Sequence, residues 1–218
     1  MRYGCLGRKW HTSHGPNLWW YATIGQACGR AYHREAKALT EMLLIAITLP
    51  NAIRGEVAII RRLLAGSVDI VHLRKPDATV DYCRTLLREL TPAERAKIVI
   101  HDYYTLYEEF ALRGVHINRN IAHLPDGYRG TRTRSCHSLE EVVRYKAECD
   151  YLFLSPIFDS ISKANYHSAF SDEVLRRAAA EGVIDDRVVA LGGVTPDKLS
   201  YLERVGFGGA AMSGAIYR

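Results

Sequence analysis

From position 42 onward, short runs of β-branched and aliphatic residues recur at regular intervals, with longer stretches between them in which apolar positions return every three or four residues. Continuous apolar runs suit strands buried on both faces and the intervening periodicity suits helices lying over them, so the pattern predicts repeated βα units on a parallel sheet. The predicted strands are residues 43–48, 70–73, 97–101, 115–117, 131–135, 151–154, 188–191 and 209–212. Helix starts fall between them. Ser138 with Glu141 three residues on reads as a capping box, Ser171 precedes an apolar-periodic stretch ending at Gly182, and Thr195-Pro196 supplies an N-cap and an N1 proline. Eight units favour an α/β fold of the closed (β/α)8 TIM-barrel type over an open doubly wound sheet, and no GxGxxG follows the first strand. The sequence reaches Tyr217-Arg218 soon after the eighth strand, so the last helix is expected to be short or missing.

Residues 1–41 do not share this rhythm. They hold all three tryptophans (Trp10, Trp19, Trp20) and several glycines, and nothing in them alternates like a strand. They are expected to form an N-terminal extension that is not part of the barrel and is dispensable for it, with the functional domain spanning 42–218. A basic amphipathic helix over residues 25–41 is the alternative. The extension also explains the charge: it carries six basic and two acidic side chains, a net of +4 out of the chain's +5, and leaves the remaining 177 residues at +1. A nearly neutral body argues against nucleic acid as a partner. The longest uncharged apolar runs, 17–24 and 42–49, are far shorter than the roughly 20 residues that cross a bilayer, so no membrane partner is expected. Five scattered cysteines with no CxxC pair suit a reducing, cytoplasmic setting better than a disulfide framework or a zinc site.

In a barrel the chemistry gathers at the C-terminal ends of the strands. Strand two ends in His72-Leu73-Arg74-Lys75, strand three in His101-Asp102, strand four in His116 and Asn118, and strand five in Ser135-Cys136-His137. Strand six runs on to Ser160, Ser162 and Lys163, strand seven into Gly192-Gly193, and strand eight into Ser213-Gly214. Together these offer cations and hydroxyls for one anion, glycine amides for a second, and Asp102 as a ligand for Mg²⁺. Each has a plainer reading: Asp102 as a helix cap, Arg74 and Lys75 as a solvated rim, His116 as a satisfied core histidine, and Cys83, Cys149 and Cys136 as packing groups. The convergence of independent strand ends on anion-binding groups favours a site.

The same residues carry a resemblance. The motifs at 71–76, 100–102, 114–116, 135–138, 150–163 and 190–194 are similar, in order, to those of thiamine phosphate synthase and its relative the TenI-type thiazole tautomerase, over about 42–216. The resemblance implies transfer of a hydroxymethylpyrimidine group from its diphosphate to thiazole phosphate, giving thiamine phosphate and pyrophosphate. It implies that Arg74 and Lys163 hold the pyrophosphate, Asp102 binds Mg²⁺, Ser135 contacts the pyrimidine, and amides around Gly193 and Ser213-Gly214 hold the thiazole phosphate. His72, His101, Ser160, Ser162 and Gly192 join the substrate-binding set, with His137 as a third catalytic candidate. The implied partners are these small molecules, with self-association allowed.

The chain also departs from the synthase pattern. Pro76 stands where a lysine is expected, with Lys75 displaced by one; His72 replaces a glutamine and His101 an amide. The stretch at 118–121 lacks the acidic pair that would supply a second metal ligand. The resemblance therefore leaves two rivals to the synthase reaction. One is metal-independent thiazole tautomerisation with His137 as acid and base. The other is non-catalytic binding of phosphorylated heterocycles.

Overall fold

The computed structural model describes residues 42–118, 124, 126–159 and 170–214. Within them, eight parallel strands close in chain order: β1 (Leu43–Ile47), β2 (Ile70–Leu73), β3 (Ile98–Ile100), β4 (Gly114–Ile117), β5 (Thr131–Cys136), β6 (Tyr151–Leu154), β7 (Val188–Ala190) and β8 (Gly209–Met212). β8 returns to pair with β1, matching Leu43 to Gly209 and Ala46 to Met212. Each predicted strand is present, displaced by no more than one residue at either end. The extension and any helix after β8 lie outside the described residues.

Helices α1 (Glu56–Ala65), α2 (Val80–Glu89), α3 (Pro92–Arg95), α4 (Thr105–Phe110), α5 (Leu139–Tyr145), α6 (Asp172–Ala180) and α7 (Leu199–Val205) accompany the strands. Their starts follow sequence chemistry, with two corrections. The Ser138 hydroxyl accepts the Glu141 amide at 3.2 Å, but the Glu141 carboxylate takes the amide of His137 at 2.7 Å, one residue earlier than a regular capping box. Ser171 caps α6 through the Val174 amide. Thr195 makes no side-chain cap bond, and Pro196 opens a 3-10 turn, Pro196–Lys198, ahead of α7. The reciprocal box is instead Thr91 with Glu94, at the start of α3.

Strand alternation divides the protein into an interior and a shell. Inward positions Ile45, Ile47, Ile70, Val99, Tyr151, Phe153, Val189 and Ala211 fill the barrel. Outward positions such as Val71, Leu73, Ile98, Leu152 and Val188 pack under the helices. Cys136 and Cys83 belong to that shell, and burial raises their thiols to about 12 and about 11, so they behave as small apolar groups. Cys149 is buried likewise, but in the turn after α5 and not on a helix face. No helix among the described residues is long and apolar enough to cross a membrane.

Candidate functional site at the C-terminal mouth

The upper interior of the barrel departs from the apolar filling such folds normally carry. His72 on β2, His101 just past β3 and His116 on β4 all point inward, and all are buried, at 0%, 7% and 4% exposure. β3 and β4 run in register at Ile100 and Val115, so His101 lies one step on beside His116, and the two rings stack with centroids 4.0 Å apart. His72 bridges outward from them: its Nδ1 is 2.7 Å from His101 Nε2 and its Nε2 is 2.6 Å from the Tyr151 hydroxyl. His116 Nδ1 lies 2.8 Å from Thr133 Oγ1, while its Nε2 is 3.1 Å from Ser135 Oγ. Burial is the main cause that holds these imidazoles neutral, taking His116 down to about 3 and the other two well below the ordinary value. His116 is thus the satisfied core histidine of the plainer reading. His72 and His101, expected as substrate contacts, lie with it beneath the mouth.

Above this layer stand the charged groups. The Thr48 hydroxyl accepts the Arg74 amide at 2.9 Å and donates to the Arg74 carbonyl at 3.1 Å, clamping the backbone that launches the Arg74 side chain. That side chain is exposed and makes no ion pair among the described residues, while its charge contributes to the lowering at His101 and His116. Lys75, one residue on, turns outward into the shell. Its ammonium is buried with Glu56 Oε2 at 2.7 Å and the carbonyls of Leu49 and Asn51 at 2.8 Å, which removes it from the solvated rim. The Lys75 amide also holds Asp102, donating to Oδ2 at 2.9 Å and leaving the carboxylate's other oxygen for a ligand.

His137 is exposed at the end of β5. Its backbone is tied to Glu141, and its ring Nδ1 lies 3.1 Å from the Ser155 carbonyl oxygen and 3.3 Å from the Ser155 hydroxyl. An Nδ1–H donated to that carbonyl leaves Nε2 as the ring's acceptor, which is the orientation a general base needs.

The second anion site lies at β7 and β8. Gly193 and Ser213 each follow by three residues a paired position, Ala190 opposite Ala210, so both loops leave the barrel at the same height. Carbonyl oxygens of Gly192 and Gly193 are engaged by the Phe158 amide at 3.0 Å and Lys198 Nζ at 2.7 Å, whereas the Gly193 amide has no hydrogen-bond partner among the described residues. The glycines also serve packing. A Cβ on Gly193, at φ +61°, would fall 2.3 Å from the Asp159 carbonyl, and one on Gly192 would fall 2.8 Å from Pro156 Cα. A bulky residue at 193 would therefore displace the loop after β6.

Asp102 has one carboxylate's worth of metal chemistry. Asp126 offers it no second oxygen, because it precedes β5 at the opposite end of the barrel, in a cleft of about 370 Å³ with Tyr107, Glu108 and Arg129. Ser160, Ser162 and Lys163 lie outside the described residues. The sequence reading passed over Tyr151, Thr133 and the Glu56–Lys75 pair. Strand parity marks Tyr151 and Thr133 as inward positions, whereas the Glu56–Lys75 pair joins a strand end to α1 and has no local signal.

The family model described as thiamine monophosphate synthase matches residues 44–216. The thiamine-phosphate synthase of Photorhabdus laumondii subsp. laumondii is 28% identical over 166 residues, covering 72% of this chain and 76% of the relative. That of Nitrosospira multiformis is 30% identical over 173 residues, covering 74% and 72%. A solved structure of thiamine phosphate pyrophosphorylase from Bacteroides thetaiotaomicron superposes with a TM-score of 0.73 at 38% identity, over 81% of this chain and 85% of that one.

Proposed function

The chain belongs to the thiamine monophosphate synthase family, and from that premise we propose that it is a transferase of thiamine biosynthesis, moving hydroxymethylpyrimidine from its diphosphate to thiazole phosphate. The observation that carries this reading is the exposed Arg74 side chain, one residue before the Lys75 amide that holds Asp102, on one side of the mouth, with a Gly193 amide that has no hydrogen-bond partner among the described residues on another. Two anions can be held apart there, as the two substrates require. The relatives' names supply the reaction.

In this reaction the pyrimidine's exocyclic C–O bond breaks, pyrophosphate leaves with the bonding electrons, and the thiazole nitrogen forms the new C–N bond. The barrier lies in charge developing on the leaving group, so a preorganised cation there is the effective catalyst. Arg74 would take that role with Lys163, the Gly193 and Ser213-Gly214 amides would orient the thiazole phosphate, and Ser135 would face the pyrimidine. Asp102 fits Mg²⁺ through its remaining oxygen, with phosphate oxygens and waters completing the shell. When bound, Mg²⁺ would neutralise charge on the pyrophosphate. The cytoplasm is the compartment we infer.

A second reading is favoured by one observation: His137 is exposed and oriented through Nδ1, as an acid-base catalyst of a metal-independent tautomerase would be. One assay separates the two. Purified protein with both substrates and Mg²⁺ should form thiamine phosphate and lose that activity in EDTA. EDTA-insensitive turnover of the tautomerase substrate alone, abolished by His137→Ala, would replace the synthase reading.

A further inference from the structure

Resting on the transferase reading, we propose that two one-way strings of hydrogen bonds make His101 and Ser135 the donors that select the pyrimidine, through the acceptor nitrogens of its ring. The first string runs from Tyr151 through His72 to His101, the second from Thr133 through His116 to Ser135. Their direction follows from counting protons. The three rings are buried, and no carboxylate among the described residues bonds to any of them, so each imidazole carries a single ring proton. The Tyr151 hydroxyl has His72 Nε2 as its sole hydrogen-bond partner among the described residues, and a buried O–H left undonated costs more than an idle lone pair. Tyr151 therefore donates to His72 Nε2.

That places the His72 proton on Nδ1, which donates across 2.7 Å to His101 Nε2, and so the His101 proton on Nδ1. No described group accepts this last N–H. It is not sealed in either, because the buried side-chain nitrogens without a partner among the described residues are Arg95 Nε and Arg134 Nε, so His101 Nδ1 opens to a ligand one residue before Asp102. The same count applies to Thr133, which is wholly buried: its hydroxyl donates to His116 Nδ1, His116 Nε2–H donates to Ser135 Oγ, and the proton of half-buried Ser135 is left for a ligand. Reversed strings would present acceptors at the mouth and strand two buried hydroxyl protons. The phosphates belong with Arg74 and Asp102, whereas two uncharged donors suit a neutral heteroaromatic ring whose nitrogens accept. His101 and Ser135 touch the ligand; Tyr151, His72, Thr133 and His116 are positioning residues that act through them.

Long-range ¹H–¹⁵N correlation spectra of the unliganded full chain should show His72 and His101 protonated on Nδ1 and His116 on Nε2. Tyr151→Phe should mix the tautomers of His72 and His101 and leave that of His116 unchanged. Calorimetry with Mg²⁺ should show hydroxymethylpyrimidine diphosphate binding about 5–100-fold more tightly than a pyridine analogue with CH in place of a contacted ring nitrogen, because the analogue leaves a donor unpaired. Tyr151→Phe should shrink that ratio, while inorganic pyrophosphate, held by Arg74 and Asp102, should bind as before. Should Tyr151→Phe not fold, the tautomers and the analogue ratio of the unaltered chain decide. His101 protonated on Nε2, or pyridine analogues bound as tightly as the pyrimidine, overturns the proposal, and thiamine phosphate formed by the same sample leaves the transferase reading standing. Failure to bind the pyrimidine diphosphate at all overturns both.

Discussion

Replacing Lys75 with methionine tests the claim that a buried ion pair sets the geometry of the mouth. Both side chains are 1% exposed, and the ammonium's three donors are taken by Glu56 and the carbonyls of Leu49 and Asn51. Methionine fills the volume but leaves the Glu56 carboxylate buried without its cation, and removing one partner of such a pair costs about 3–5 kcal/mol. At about 2–4 °C per kcal/mol for a domain of this size, the Tm should fall by on the order of 10 °C. Urea unfolding should show the same loss as a lower midpoint at unchanged slope. The double variant Lys75→Met with Glu56→Leu removes the stranded charge and should recover most of the loss. Because the Lys75 amide orients Asp102, the single variant should also need more Mg²⁺ for the same rate. A Tm within about 2 °C of the parent, or a double variant worse than both singles, would refute the reasoning.

Arg74→Ala should lower turnover about 100-fold or more while leaving the urea midpoint in place, since the side chain is exposed and its backbone remains clamped by Thr48. Steady-state kinetics and denaturation on the same sample check both halves. Gly193→Ala should cost about 2 kcal/mol or more, from left-handed backbone plus the clash with Asp159, and should weaken thiazole phosphate binding measured by calorimetry; Gly55→Ala, at φ +74° in open space, should cost only about 1 kcal/mol. Acid should destabilise the native state through the histidine layer. The unfolded chain takes up a proton near pH 6.5 that native His116 refuses until about 3, so stability is full above 6.5 and is lost as pH falls between those values. His116 alone then accounts for about 2 kcal/mol between pH 7 and 5, with His72 and His101 acting in the same direction, and an unfolding free energy that is flat over this range in urea titrations would contradict the neutral assignment.

The barrel was legible because its signal is repetitive: eight apolar runs at steady spacing leave few alternatives, and an error of one residue at a strand end does not alter topology. The strand-end residues were legible as a set for the same reason. Individual side-chain directions were not. Arg74 and Lys75 read alike as basic residues, yet one more step along β2 turns the lysine from the mouth into the shell, where only the fold brings Glu56 to meet it. Ser135, Cys136 and His137 show the same alternation, which sends Cys136 outward. The histidine layer joins residues 29 and 79 positions apart in the chain, as His72 does with His101 and Tyr151, and no local pattern reports such meetings. The capping-box glutamate was found correctly, but its bond to the His137 amide depended on backbone geometry that sequence does not carry.

On β2 and β3 the interior changes character within two residues, from Ile70 to His72 and from Val99 to His101. Ile45 lies level with Ile70 and with Ala211, and the next inward position on β2 is His72. The lower tier is what holds the staves together, so its tolerance for exchange is set by volume and apolarity. The tier above contributes little to closure, and its substitutions are limited by what must be recognised at the opening. Mutational scanning of inward positions should therefore split at this level, with survival tracking hydrophobic size beneath it and ligand identity over it. A barrel divided in this way can change its chemistry while keeping its frame.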